Sequence, residues 1–319
     1  MSTIFDVPGT NPPNPFSAPI QSILGTTGLP SEDDLSAQQL GKAAADLVTT
    51  VTASPDPANA LWQLWDAFFI AVATSASYRS HLALLDALRA QPPTQPTNVT
   101  PGSDAERQLR SYTSDDGGKL LDWSALPRFS AQWRDFHDIL EAYRDWDGVR
   151  GGASSSESSS PKLSSRPDEY FSRFCAFSAA LVKATNGKGG VHPINVFYAC
   201  RNVLERGTHQ THEQPRPHRM KPEEVWPLDI RVAATWVRDG GRALWETDKE
   251  ELRRHWAVPL DSKTELWPKG DGLTQERWRL WADRLRSLGA EDGTLDEETR
   301  AVVTEAAAVV EGLLGENSD

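Results

Sequence analysis

Apolar side chains recur along most of the chain at alternating steps of three and four, the rhythm of one buried helical face, and the alternate-residue pattern of a half-buried strand is absent. The expectation is an all-α fold, an irregular bundle of about nine or ten helices. Its centre is expected in Asp168–Arg206, where Tyr170, Phe174, Phe177 and Leu181 mark one arm of a helical hairpin and Phe197, Cys200 and Leu204 the other. Asn186-Gly187-Lys188-Gly189-Gly190 supplies the turn between them, and Pro167 suits the start of the first arm.

Residues 1–30 carry Pro12, Pro13 and Pro15 and no sustained period, so an extended arm is expected, ordered only where Phe16 or Ile20 finds a groove. Residues 31–319 are expected to form a single helical domain. Ser31 with Asp34 resembles an N-cap ahead of Leu40, Ala44, Leu47 and Val51. Asp56-Pro57 opens a strongly apolar helix through Leu61, Leu64, Trp65, Phe68 and Val72, and Leu82, Leu85 and Leu88 face inward on the next. Prolines at 92, 93, 96 and 101 make 91–103 a flexible loop. Phe129, Trp133, Phe136, Leu140 and Tyr143 form another stripe before the serine tract at 151–165, which has almost nothing to bury.

A loop is expected at 207–224, followed by a helix with Ile230, Ala233, Ala234, Val237, Gly241 and Leu244 on one face. Gly240-Gly241 inside that helix costs on the order of 1 kcal/mol per glycine, which suits a close helix crossing or a bend. A short helix over 247–256, a Thr274-capped helix carrying Trp278, Trp281, Leu285 and Leu288, and a last helix introduced by Thr294-Leu295-Asp296-Glu297 complete the chain.

The chain has 319 residues, enough for a sizeable core without metal or disulfide. A net charge of -12 disfavours a nucleic-acid or anionic-membrane partner, because phosphate rewards clustered Lys and Arg. The longest apolar run, near Phe68–Ala73, is too short to span a bilayer. Met1–Asp6 lacks the basic start and apolar core of a signal peptide. Cys175 and Cys200 both fall on apolar faces, which fits a reducing compartment and a cytoplasmic protein. Asn98-Val99-Thr100 matches a glycosylation acceptor by loop composition alone.

No phosphate-binding glycine loop, nucleophile elbow or zinc-spaced cysteine pair is present, so no cofactor and no metal are assigned. His209, His212 and His218, with Glu213 among them, offer metal donors, but the flanking Gln-Pro-Arg-Pro gives no rigid scaffold and a solvated loop explains them. His137 lies beside Trp133 and Phe136 and is the candidate general base, against a structural histidine bonded to backbone. Arg173 and Arg201, one on each arm of the hairpin, are candidates to hold a carboxylate or enolate. Ion pairs with Asp168, Glu169 or Glu205 are the simpler assignment for them. Asp33-Asp34 and Asp115-Asp116 lack the further acidic partner that a magnesium-phosphate site needs. The twelve tryptophans fall mostly at inward positions, where core packing accounts for them and an aromatic pocket is the alternative.

Four segments taken together resemble a family of fungal proteins of unassigned biochemical function, some encoded in secondary-metabolite gene clusters and typified by oxopyrrolidines biosynthesis cluster protein G. They are Trp123-x-x-Leu126-Pro127-x-Phe129 with Arg134-Asp135, Phe174-x-Ala176-Phe177-x-Ala179-x-Leu181, Ala233-Ala234-Thr235-Trp236-Val237-x-x-Gly240-Gly241-x-x-Leu244, and Trp278-x-x-Trp281 with Leu285. The chain departs from the family at Arg173 and Cys175, where asparagines are frequent. The resemblance implies an all-helical fold and an accessory place in secondary metabolism, and it supplies no catalytic residues. Two functions are therefore expected in competition: cofactor-free proton transfer on a polyketide-like or amino-acid-derived small apolar metabolite, or a non-catalytic helical scaffold for partner proteins.

Overall fold

A computed structural model describes residue 4, residues 13–24, 36–113, 120–147, 167–207, 219–291, 293 and 295–316. The described residues form twelve α-helices and no strand, with only isolated bridges such as Thr94 to Leu121. The fold class is all-α. The helices beyond the expected nine or ten are short ones, α1 (Ser17–Leu24) and α5 (Asp104–Leu109), too brief to show a periodic stripe. No helix among the described residues is long and apolar enough to cross a membrane. The contacts of the described residues gather into two compact units, one within 4–142 and the other within 143–147 and 167–316.

The first unit is built on α3 (Pro57–Thr74). Asp56 caps it, its Oδ1 accepting the Asn59 N–H at 3.0 Å, and Pro57 occupies the first turn, where a missing N–H costs nothing. Its buried side carries Leu61, Leu64, Trp65, Phe68, Phe69 and Val72. Around it stand α1, α2 (Ala37–Thr52), α4 (Arg79–Arg89), α5 and α6 (Phe129–Tyr143). Within the proline-rich arm, Ser17–Leu24 is helical rather than extended; Phe16 and Ile20 are buried, and Asn14 Nδ2 donates to the Gln63 carbonyl at 2.8 Å. The cap of α2 is Ser36 in a reciprocal box with Gln39, while Ser31 and Asp34 lie outside the described residues. On α4 it is His81, Leu84, Leu85 and Leu88 that are buried, with Leu82 half-buried. The 91–103 loop is irregular, as its prolines require, yet tied down: Thr97 N–H and Asn98 Nδ2 donate to the carbonyls of Thr52 and Ala53.

The Trp123-x-x-Leu126-Pro127-x-Phe129 segment is a clamp on this core. Leu126 and Arg128 take left-handed backbone (φ 49 and 69), a strain of roughly 1–2 kcal/mol per non-glycine residue that only surrounding contacts maintain. Trp65 Nε1 donates to the Pro127 carbonyl at 2.8 Å, Trp123 Nε1 donates to Thr94 Oγ1 at 2.7 Å, and the Phe129 ring meets Trp65 edge-on at 5.1 Å.

In the second unit α7 (Pro167–Thr185), α8 (Ile194–Val203) and α12 (Glu297–Gly315) all pack on α9 (Pro222–Glu246), and α11 (Gln275–Ala290) packs on α12. The two arms of the expected hairpin are thus held chiefly through α9. The turn between them is a Schellman motif. Asn186 is left-handed (φ 47), its N–H reaches the Lys183 carbonyl, and Gly187 N–H reaches the Val182 carbonyl at 2.9 Å. Gly187 sits at φ +76, and a Cβ there would lie 2.3 Å from Pro193 Cγ. Gly240 is the close crossing: a Cβ would meet Val196 Cγ2 at 2.8 Å and Val182 Cγ1 at 3.4 Å, so α9 approaches both arms where it has no side chain.

Helix α9 begins inside the expected 207–224 loop. Pro222 is harmless in the first turn, where the Glu224 carboxylate accepts the Lys221 N–H at 2.9 Å, and Pro227 removes the N–H that the Glu223 carbonyl would have accepted. Helix α10 (Lys249–Leu260) runs past the expected end at Trp256 across a kink (φ −133, ψ 26), and Pro259 removes the N–H that the His255 carbonyl would have accepted. Asp296, accepting from Thr299 N–H at 2.7 Å, caps α12; Thr294 lies outside the described residues.

Candidate functional site

Helix α6 buries Phe129, Gln132, Trp133, Phe136 and Leu140, which leaves His137 at the margin of the first unit. Trp133, one turn earlier, stacks on the His137 ring with centroids 5.2 Å apart and planes 28° apart, fixing the imidazole. Nδ1 lies 3.5 Å from Asp138 Oδ1, and His137, Asp138 and Glu141 each present a ligand atom within 4.8 Å of the others. A fixed imidazole between carboxylates has the elements of a proton relay or of a cation site.

The other two candidates are in the second unit. Arg173 Nη2 pairs with Glu169 Oε2 at 3.0 Å, one turn back on α7, in a half-exposed position where such pairs contribute a few tenths of a kcal/mol. Arg201 is half-buried on α8, its Nε making no hydrogen bond among the described residues, beside Tyr198, whose hydroxyl burial pushes up and the Arg201 charge partly restores. His209, His212, His218, Asp33-Asp34 and Asp115-Asp116 lie outside the described residues.

The densest buried polar constellation among the described residues of the second unit pairs Glu205, expected against Arg173 or Arg201, with Arg277. Glu205, just past α8, and Arg277, on the first turn of α11, are both fully buried. Glu205 Oε1 accepts Arg277 Nε at 2.6 Å and Trp281 Nε1 at 2.9 Å; Oε2 accepts Arg277 Nη2 and Thr264 Oγ1, each at 2.9 Å. Arg277 Nη1 donates to the carbonyls of Leu260 and Gly272 at 2.6 and 2.9 Å, and its guanidinium lies 4.7 Å from the Phe197 ring centre. Every carboxylate lone pair is engaged, so no acceptor is left for a substrate proton. Cys200 nearby is no better placed for chemistry: burial, then the Glu205 charge, pushes its thiol well above the ordinary range, so it stays protonated and unreactive. The signal for this pair was faint but present. Glu205 continues the Phe197–Cys200–Leu204 stripe, and Arg277 precedes Trp281 by one turn, so each puts a charge on an apolar face.

His192 is likewise committed. Its Nδ1 accepts the Ile194 N–H at 3.0 Å at the start of α8, Nε2 faces Glu251 Oε1 at 3.7 Å, and its ring lies 4.2 Å from Trp256. Burial lowers its pKa, and Glu251 partly offsets that. Seven of the tryptophans are buried, among them Trp65, Trp123, Trp236, Trp278 and Trp281, while Trp146 is exposed against Arg219.

No curated protein and no solved structure matches the chain. A family model described as "Protein of unknown function (DUF3632)" matches residues 44–285, from the middle of α2 to Leu285 on α11, and the chain belongs to that family.

Proposed function

We propose that this chain is a non-catalytic helical scaffold that serves as an accessory protein in fungal secondary metabolism, holding partner proteins rather than turning over substrate. The observation that carries it is the closure of Glu205: a buried carboxylate whose four acceptor positions are filled by Arg277, Trp281 and Thr264 stabilises a fold and has no capacity left for proton transfer. The family-like segments support the same reading, since Trp65 to Pro127, the Gly240 crossing and Trp281 to Glu205 are all internal fastenings. The place in secondary metabolism rests on the sequence resemblance. Two free, buried cysteines support a cytoplasmic setting.

One observation favours a second reading. His137 is held by Trp133 and flanked by Asp138, the arrangement of an oriented general base acting on a small apolar metabolite without a cofactor. Deleting the gene in its producer, isolating any precursor that accumulates, and incubating it with the purified chain separates the two. A scaffold gives no turnover in isolation while restoring product formation when added with its partner enzyme. Turnover by the chain alone, abolished in His137→Ala, refutes the scaffold.

A further inference from the structure

His137, Asp138 and Glu141 form a mixed nitrogen and oxygen donor set on two successive turns of α6. His137 and Glu141 are four residues apart and therefore on one side of the helix, the spacing by which two ligands from a single helix reach one ion. Asp138 stands next to the imidazole, and the three ligand atoms lie within 4.8 Å of one another. Around a first-row dication, donors at bond lengths near 2.0–2.2 Å sit about 3 Å apart. Closing that gap requires rotation of the two carboxylates. Asp138 is exposed and turns at little cost, while Trp133 already fixes the imidazole, so the nitrogen donor loses little rotamer freedom on ligation.

Elsewhere among the described residues, Glu205 is saturated by four donors and His192 spends Nδ1 on a backbone N–H. We propose that α6 carries a site for one divalent first-row transition ion, Zn²⁺ foremost, with His137 contributing a ring nitrogen, Asp138 and Glu141 one carboxylate oxygen each, and water filling the remaining positions. One imidazole with two carboxylates suits borderline ions, and among those the ordering of affinities puts Zn²⁺ and Co²⁺ above Mn²⁺. Ca²⁺ and Mg²⁺, which prefer all-oxygen shells, are expected to bind more weakly. The proposal extends beyond the scaffold reading and stands whether or not the chain is an enzyme.

The test uses the full chain, stripped with chelator and titrated with Zn²⁺ by calorimetry and with Co²⁺ by visible absorption. Because His209, His212 and His218 are also donors, the titration is repeated with all three replaced by Ala. One ion per chain is expected in both backgrounds, with His137→Ala and Glu141→Gln each weakening affinity by about tenfold or more and circular dichroism unchanged. Asp138→Asn provides a third variant at an exposed position, so the result does not hang on one protein folding. Loss of saturable binding in the triple-alanine background, or binding that survives both His137→Ala and Glu141→Gln, overturns the proposal.

Discussion

Replacing Arg277 with Met is the most informative perturbation of this fold. Glu205 would keep only Thr264 and Trp281 as donors while remaining shut off from water, and the carbonyls of Leu260 and Gly272 would lose the donor they share. Two charge-assisted bonds to the carboxylate vanish, and an unpaired buried charge remains. Breaking a buried pair from one side typically costs about 3–5 kcal/mol, and this pair, with both side chains at zero exposure, belongs in that range. Glu205→Leu should cost a similar amount by stranding the guanidinium. The double variant should cost clearly less than the sum of the singles, because no unpaired charge is left, although Thr264 and Trp281 still lose a partner. Urea unfolding followed by circular dichroism, with the four free energies arranged as a double-mutant cycle, gives the coupling directly. Single substitutions costing under about 1 kcal/mol, or strict additivity, would show that water reaches the pair and that the clasp is not what holds α8 to α11.

The two adjacent glycines of α9 should respond with opposite signs. Gly240→Ala forces Val196 aside and should lose about 1–2 kcal/mol net of improved helix propensity, whereas Gly241→Ala, with its nearest neighbour Val309 Cγ1 at 3.7 Å, should be neutral or gain up to about 1 kcal/mol; thermal and urea midpoints report both. Burial lowers the His81 pKa from 6.5 to about 4, with the backbone at Ala71 and Ser77 offsetting part of it. As pH falls through 6.5 the unfolded chain takes up a proton that the folded chain refuses until about 4, so stability contributed by the neutral ring is complete above that window and declines across it, by about 3 kcal/mol in all. His81→Leu should flatten that part of the stability–pH profile, and an unchanged slope would count against it. Trp65→Phe, which strands the Pro127 carbonyl and leaves a small void, should cost about 2 kcal/mol in urea unfolding.

The helical stripes were the legible part of the sequence, because burial of one face writes a 3.6-residue period wherever a helix exceeds two or three turns. Thus α3, α7 and α9 follow their marked residues, α6 does so except at its last residue, Tyr143, which is exposed, and the cap and proline at Asp56-Pro57 fall where the side-chain chemistry puts them. Ends were less legible. Ser36 rather than an earlier serine caps α2 because Gln39 is there to complete the box, and α9 starts at Pro222 because proline is as good at a helix start as it is in a loop. The expected end at Trp256 falls on the kink of α10, where the backbone leaves the helical region before a further turn to Leu260. Of the candidate site residues, Arg173 carries a local partner four positions back, which spacing alone suggests. The Glu205–Arg277 clasp joins positions 72 apart, and no local rule pairs them; only the oddity of a charge on an apolar face marked either one. The donor spacing of His137 and Glu141 was present in the sequence, but its third member and the Trp133 stack emerge only once α6 is folded.

The proposition that the tryptophan-bearing segments are fastenings of the fold is tested most directly by hydrogen exchange of the indole N–H groups, read by NMR on the full chain. Trp65, Trp123 and Trp281 each donate to a defined acceptor, namely Pro127 carbonyl, Thr94 hydroxyl and Glu205 carboxylate. Their indole protons should exchange as slowly as core backbone amides. Rapid exchange at Trp65 and Trp281 would mean that these rings face solvent or an open cavity, and the structural role assigned to them would be wrong.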